Sequence, residues 1–424
     1  MKQARKCEKK GSDSHTYPAK VDANQSWSEE SLREYAKVKA ASQGYLDYII
    51  KHHVEQRKLL DALSGCGNYL TVANFFNVGV RRLTGGFTCK KHLHCQMCAM
   101  RRAARYAVAF REYLKHILRQ EENAHIVPVL ITFTIKNRAD LAQAFAHIEK
   151  SLQSIYRQRR NYFTKGRRRD STPTIFRHIL GGAGSYEIKI GSGSKQWHVH
   201  YHMLALMDAR EFVFTEQIVP AKSRDGADMY RSIYKPLEFE ECLRSEWFQI
   251  TGDSHQIDVR ALYPRDRYAN FQGAEVPSDV QSFLYAEDSS EEAVFSGLCE
   301  AFKYALSSAD ITHEQRFEAA ETLKGRKLIT RFGMLRNLQL PETDVQAVEF
   351  DLRNEQYYEE VYKYWHDHEE YKLWKVNSSE RAINPVNFRK SMNRGPKRKN
   401  TPGRITEEDI KDFLHSRATV HPPF

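Results

Sequence analysis

Residues 185–207 read SYEIKI, then GSGSKQ, then WHVHYHMLALM. Two alternating, β-rich runs joined by six residues dominated by Gly and Ser specify an antiparallel hairpin. A second run, HIVPVLITFTIKN over 125–137, sets Thr132 and Thr134 in alternation with apolar neighbours and supplies another strand of a central sheet. Helical periodicity marks residues 28–63, the stretch from Arg101, ADLAQAFAHIEKSLQSIYRQ and SSEEAVFSGLCEAFKYALSS. The expected fold class is therefore α+β, a central antiparallel sheet with flanking helices.

Three histidines sit at alternate positions of the second hairpin strand: His198, His200 and His202. Residues two apart on a strand face one side, roughly 6.5–7 Å apart, so two imidazoles converge on one divalent ion. The outer two are roughly 13 Å apart and cannot share one. Strand geometry thus admits one adjacent pair, and His200 belongs to either. Glu187, on the paired strand between Tyr186 and Ile188, is the natural carboxylate partner. Two His and one Glu leave coordination positions open, which favours a catalytic ion over a structural one.

Four cysteines fall between residues 66 and 98: Cys66, Cys89, Cys95 and Cys98, with His92 and His94 among them. The CxxC at 95 and 98 chelates one ion on a tight turn and needs two further soft ligands for a tetrahedral structural Zn2+. Seven cysteines in a long chain argue against a disulfide framework.

Lys and Arg number 65 against 54 Asp and Glu, a net +11 that suits a phosphate-rich partner. The charge concentrates at 157–169, RQRRNYFTKGRRR, where Tyr162 and Phe163 interleave the cations and no acid intervenes. Arg101, Arg102 and Arg105, directly after the cysteines, are further candidates for DNA contact. No apolar run is long enough to span a membrane, and the basic N-terminus lacks the apolar core of a secretory signal, so a cytoplasmic location is expected. Downstream, Glu300 and Tyr304 stand four apart on a helical pattern and share one face, with Lys303 placed to steady a charged phosphate. A tyrosine is a poor nucleophile unless a divalent ion polarises its target.

In this order, ITFTIKN, YEIKI, HVHYHMLAL and EAFKYAL resemble the motifs of rolling-circle plasmid replication initiators of the HUH endonuclease superfamily, in the subgroup with a single catalytic tyrosine. The likeness extends to CGNYL and CKKHLHCQMCAMRR upstream and LKGRKLITRFGMLR downstream, roughly residues 60–340. It implies a sheet of the HUH endonuclease type. It also implies that His200 and His202, immediately before MLALM, hold a catalytic Mg2+ or Mn2+, with Tyr201 turned away and Glu187 at the acidic position. Cys66 and Cys89 would complete the zinc site, with His94 as runner-up for one place. Tyr304 would form a 5′-phosphotyrosyl link at a nick in plasmid origin DNA, and Glu300 would act as general base for terminating hydrolysis. A host helicase and DNA polymerase are the partners implied.

The spacing from His202 to Tyr304 is long for that group, so an insertion is expected within 208–290. The expected organisation is a disordered basic tail (1–25), a helical region with the Cys-rich segment (26–120), the endonuclease domain (121–345), and a helical extension with a basic C-terminal tail (346–424). Two other readings remain. A non-enzymatic zinc-containing DNA-binding regulator accounts for charge and cysteines but not for the His pair. A relaxase or transposase of the same superfamily differs in the DNA site it cuts.

Overall fold

The computed structural model describes residues 27–118, 120–123, 125–164, 174–222, 228–262, 311–340, 352 and 355–377. The expectations for the N-terminal tail, for the segment holding Glu300, Lys303 and Tyr304, and for the basic tail beyond 377 lie outside these residues. The chain divides into two compact units. One comprises the described residues between Tyr106 and Leu340, and the other combines those of 27–105 with 352 and 355–377.

The larger unit is built on a five-stranded sheet. Its strands are β3 (Ile126–Thr134), β4 (Ile179–Ile190), β5 (Trp197–Asp208), β8 (Ile257–Ala261) and β9 (Ile329–Gly333), in spatial order β8-β3-β5-β4-β9. Every pairing is antiparallel. The expected hairpin is β4–β5, closed between Gly191 and Gln196 by Gly191 N–H donating to the Gln196 carbonyl at 2.8 Å. Strand β5 occupies the centre, between β3 and β4, so its side chains meet neighbours from both sides.

One face of this sheet is an aromatic layer. Helix α4 (Leu141–Thr164) packs Phe145 against Tyr186, ring centroids 4.7 Å apart, and Tyr156 reaches the Tyr201 hydroxyl at 3.0 Å. Helix α5 (Leu237–Thr251) buries Trp247 against Phe133, and its indole N–H donates to the Thr134 carbonyl at 2.9 Å. Each aromatic contact of this kind contributes about 0.5–1.5 kcal/mol beyond the area it buries. Glycines in β4 make room for the rings. A Cβ on Gly184 would strike the His202 carbonyl and lie 2.7 Å from a Tyr201 ring carbon, and one on Gly182 would lie 2.7 Å from Phe332.

Within 208–290, where an insertion is expected, the described residues 208–222 and 228–262 add elements to this unit. They hold the hairpin β6 (Thr215–Lys222) and β7 (Asp228–Lys235), then α5 and the edge strand β8, which pairs with β3. Helix α6 (His313–Leu323) opens on a capping box between Thr312 and Gln315 and precedes β9.

The second unit begins with α1 (Glu29–His52), capped by Ser28 and Ser31, and α2 (Arg57–Ser64). The region expected as helical with a Cys-rich segment also contains β1 (Tyr69–Phe75) and β2 (Val80–Gly86). The expected helical extension after 346 is corrected more strongly. Residues 358–377 form the hairpin β10 (Tyr358–Trp365) and β11 (Glu370–Asn377), and the sheet order is β11-β10-β1-β2. YEEVYKYW and EYKLWKVN set aromatic and Val residues against Glu and Lys at short period, a composition that favours a half-buried strand over a helix. The start of α3 (Gln96–Leu118) belongs to this unit. Among the described residues no helix is long and apolar enough to cross a membrane.

Gly184→Val is expected to lower the unfolding free energy by about 1–3 kcal/mol, because overpacking at a closed position displaces the Tyr201 ring. Urea denaturation monitored by fluorescence measures it, and an unchanged midpoint would contradict the packing described.

Candidate metal centres

Alternation along β5 puts buried Tyr201 on the aromatic face and both His200 and His202 on the opposite one. The register then decides their surroundings. His200 stands across from Thr134 on β3 and Glu187 on β4, while His202 stands across from Thr132 and Ser185.

The contacts follow from that pairing. The Thr134 hydroxyl lies 2.8 Å from His200 Nδ1, and the Thr132 hydroxyl 3.1 Å from His202 Nδ1. His202 Nε2 meets Glu187 Oε2 at 2.9 Å, and Lys189 Nζ pairs with the same oxygen at 2.9 Å. Glu187 is 2 % exposed, so its carboxylate depends on these partners. Burial, reinforced by the neighbouring His198 and His202, lowers the His200 imidazole to about 3. It stays neutral at physiological pH, the form a metal ligand requires.

A threonine hydroxyl both donates and accepts. It accepts from Nδ1–H when Nε2 carries an ion, and donates to Nδ1 when Nε2–H points at Glu187. Both histidines are therefore held at Nδ1 with Nε2 left for chemistry, a recurrent arrangement of metal-ligating imidazoles. His200, His202 and Glu187 are of the donor types that a divalent ion takes. Their ligand atoms are not gathered to the mutual distances of the cysteine cluster described below.

The third histidine, His198, is half-buried. Its Nδ1 bonds Asn137 Oδ1, and its ring meets the edge of His200 at a centroid distance of 4.0 Å. The His200 and His202 rings are 5.8 Å apart. Only the latter pair flanks Tyr201 and includes the residue touching Glu187. Burial raises Tyr201 well above its ordinary value and Tyr156 to about 12, so both stay protonated within the aromatic layer.

In the other unit Cys66, Cys89, Cys95 and Cys98 form a cluster whose sulfurs all lie within 4.8 Å of one another. Among the described residues it is the group of His, Cys, Asp or Glu with metal-holding geometry. Cys66 follows α2, Cys89 lies in the loop after β2, and Cys95 and Cys98 sit at the start of α3. Sulfur separations are 3.4 Å for Cys66 to Cys95, 3.5 Å for Cys66 to Cys98 and 3.4 Å for Cys89 to Cys98. These exceed a disulfide bond and approach the roughly 3.8 Å edge of a tetrahedron with Zn–S bonds near 2.3 Å.

Backbone amides point at the sulfurs, Cys89 N–H at Cys66 Sγ (3.4 Å) and Cys98 N–H at Cys95 Sγ (3.5 Å). Hydrogen bonds from Cys89, Cys95 and Cys98 hold the Cys66 thiol far below its ordinary value, the thiolate form that binds metal. Lys39 of α1 donates to the Cys66 carbonyl at 2.6 Å, and Tyr371 of β11 to the Gly67 carbonyl at 2.5 Å. His94, the alternative ligand, is not among the gathered ligand atoms; its Nδ1 bonds the Tyr45 hydroxyl at 3.0 Å. Arg101, expected against DNA, is buried at 4 % exposure, and Arg102 lies against His92.

Thr132, Thr134 and Lys189 contact the candidate residues, and the sequence does not reveal them as such. The threonines are visible there only as a strand pattern, and Lys189 shares the Glu187 face by its two-residue offset. Glu300, Lys303 and Tyr304 lie outside the described residues.

A family model described as "Replication protein" matches residues 80–232. A replication-protein domain is thus present over part of the chain, and the matched stretch contains three of the four cysteines together with β3, β4 and β5. No curated protein and no solved structure matches the chain.

The purified chain is expected to carry about one tightly held zinc, and Cys95→Ser close to none, because three ligands lose most of a structural site's affinity. Elemental analysis by mass spectrometry after gel filtration decides it. Equal zinc in both proteins would mean that the cluster is not a metal centre.

Proposed function

We propose that the chain is a rolling-circle plasmid replication initiator that nicks and rejoins origin DNA. The observation that carries this reading is the placement of His200, His202 and Glu187 on one sheet face, with His202 on Glu187 and threonine hydroxyls at both Nδ1 atoms, inside the stretch matched by the replication-protein model. A divalent Mg2+ or Mn2+ held by His200 and His202, with Glu187 as direct or supporting ligand, would polarise the scissile phosphate.

Tyr304 is the proposed nucleophile. Its oxygen attacks phosphorus, the bond to the 3′ oxygen breaks, and that oxygen leaves as the 3′-hydroxyl from which a polymerase extends. The 5′ phosphate remains on the tyrosine. Lys303 balances charge on the phosphate, and four residues before the tyrosine Glu300 accepts a proton from water, which then displaces Tyr304 at termination. Lys189, already paired with Glu187, keeps that carboxylate compensated. The cysteine cluster, with Zn2+, is structural in this scheme.

The test uses full-length protein and single-stranded oligonucleotides tiling the cognate origin, with Mn2+ added. A covalent adduct is expected with the native chain, none with Tyr304→Phe, and at least a hundredfold slower adduct formation with His202→Ala. Adduct formation by Tyr304→Phe would reassign the nucleophile, and full activity of His202→Ala would remove the metal from this face. Salt-sensitive DNA binding without cleavage by the native chain would favour a DNA-binding regulator instead.

Thr134→Val is expected to weaken Mn2+ activation by about 10–100-fold while leaving the fold intact, since the hydroxyl orients a ligand without being one. Titration of cleavage rate against Mn2+ reads this directly. An unchanged midpoint would show that the hydroxyl contributes nothing to ion binding.

A further inference from the structure

The C-terminal half of α4 borders a cleft of about 560 Å³, within the roughly 300–1,000 Å³ of typical ligand sites. It lies on the α4 side of the sheet, the face opposite His200 and His202. Arg157, Arg160 and Arg336 line it with Phe163 and Phe332, and no Asp or Glu does so among the described residues.

The arginines divide into two roles. Arg159 turns inward. Its Nε donates to the Ile179 carbonyl at 2.8 Å and its Nη2 to the Leu180 carbonyl at 3.2 Å, and its guanidinium lies 4.7 Å from the Phe163 ring and 5.0 Å from that of Phe332. It is a fixed floor, and burial lowers its affinity for the proton. Arg157 and Arg160, one helical turn apart, and Arg336, just beyond β9, are exposed and make no ion pair among the described residues. A cluster of exposed arginines on a cleft that no acid lines among the described residues is the electrostatic footprint of a polyanion.

Phe163 is 53 % exposed, although a large ring gains by burial. Arg159 backs it, and its exposed surface adjoins the free cations. A ring beside phosphate-pairing groups is the arrangement on which unpaired bases stack.

We infer that this cleft is a second DNA-contact site, holding the backbone of a single strand against Arg157, Arg160 and Arg336 with one base stacked on Phe163. The inference rests on the reading that DNA is the substrate, and it places a contact on the reverse of the sheet from the nicking chemistry. Single-stranded DNA is favoured over duplex because only unpaired bases offer a face to the ring.

The test compares full-length native protein, Arg160→Gln/Arg336→Gln and Phe163→Ala on a fluorescent oligo(dT) and on a duplex of equal length, by anisotropy across a salt series. The double variant is expected to bind oligo(dT) at least tenfold more weakly, with a salt slope reduced by about 1.4, or about 0.7 for each phosphate no longer neutralised. Phe163→Ala is expected to bind oligo(dT) about tenfold more weakly and duplex as tightly as the native chain. Native affinity for oligo(dT) in the double variant would overturn the site, and equal weakening on duplex for Phe163→Ala would overturn the stacked base. Adduct formation on a short oligonucleotide spanning only the nick should survive in all three proteins. Its absence from the native chain would refute the nickase reading while leaving the binding comparison intact.

Discussion

The pairing of β5 with both neighbours is the constraint on which the larger unit depends. A strand can present only two faces, and β5 uses them for incompatible purposes. Tyr201 reaches into a closed aromatic layer, while His200 and His202, one residue to either side, face the polar groups of β3 and β4. A slip of one residue in either pairing would drive two imidazoles into the layer and leave Glu187 without its histidine. The packing of Tyr201 against Tyr186, Tyr156 and the glycines of β4 therefore also locks the register that assembles the polar cluster.

The cysteine cluster is held differently. Its residues come from the end of one helix, a loop and the start of another, none rigid alone, and the surrounding hydrogen bonds from Lys39 and Tyr371 fix the Cys66–Gly67 backbone. Four sulfurs at contact distance without an ion to share would be a costly concentration of polarisable, ionisable groups. The amides aimed at two of them offset part of that cost and leave the tetrahedron for a soft metal.

What the sequence disclosed follows from the range of each signal. The β4–β5 hairpin, the eligible histidine pairs and the Glu187 partnership rest on period-two geometry within twenty-odd residues, and all are legible there. The four cysteines are legible as a soft donor set, although the choice against His94 needs the folded positions of the helix ends and loop that bring the sulfurs together. Thr132 and Thr134 show only as an alternating strand, because their task depends on a register with β5 that no local pattern encodes. The same limit explains β10 and β11. Their aromatic and charged residues suit a strand, yet nothing nearby announces that they close a sheet on β1. Within 208–290, β8 is too short to stand out from its surroundings, but its few residues complete the edge beside β3.

The sheet of the cysteine-bearing unit is assembled from distant parts of the chain, with Tyr69 of β1 paired to Lys363 of β10. This has a consequence for synthesis on the ribosome. Every strand of the five-stranded sheet has been translated by Gly333, whereas β1 keeps one edge unpaired until the hairpin ending at Asn377 emerges. The sheet begun first is thus the one finished last, and a message broken between those two points would yield a complete five-stranded sheet together with an open, aggregation-prone strand edge at β1.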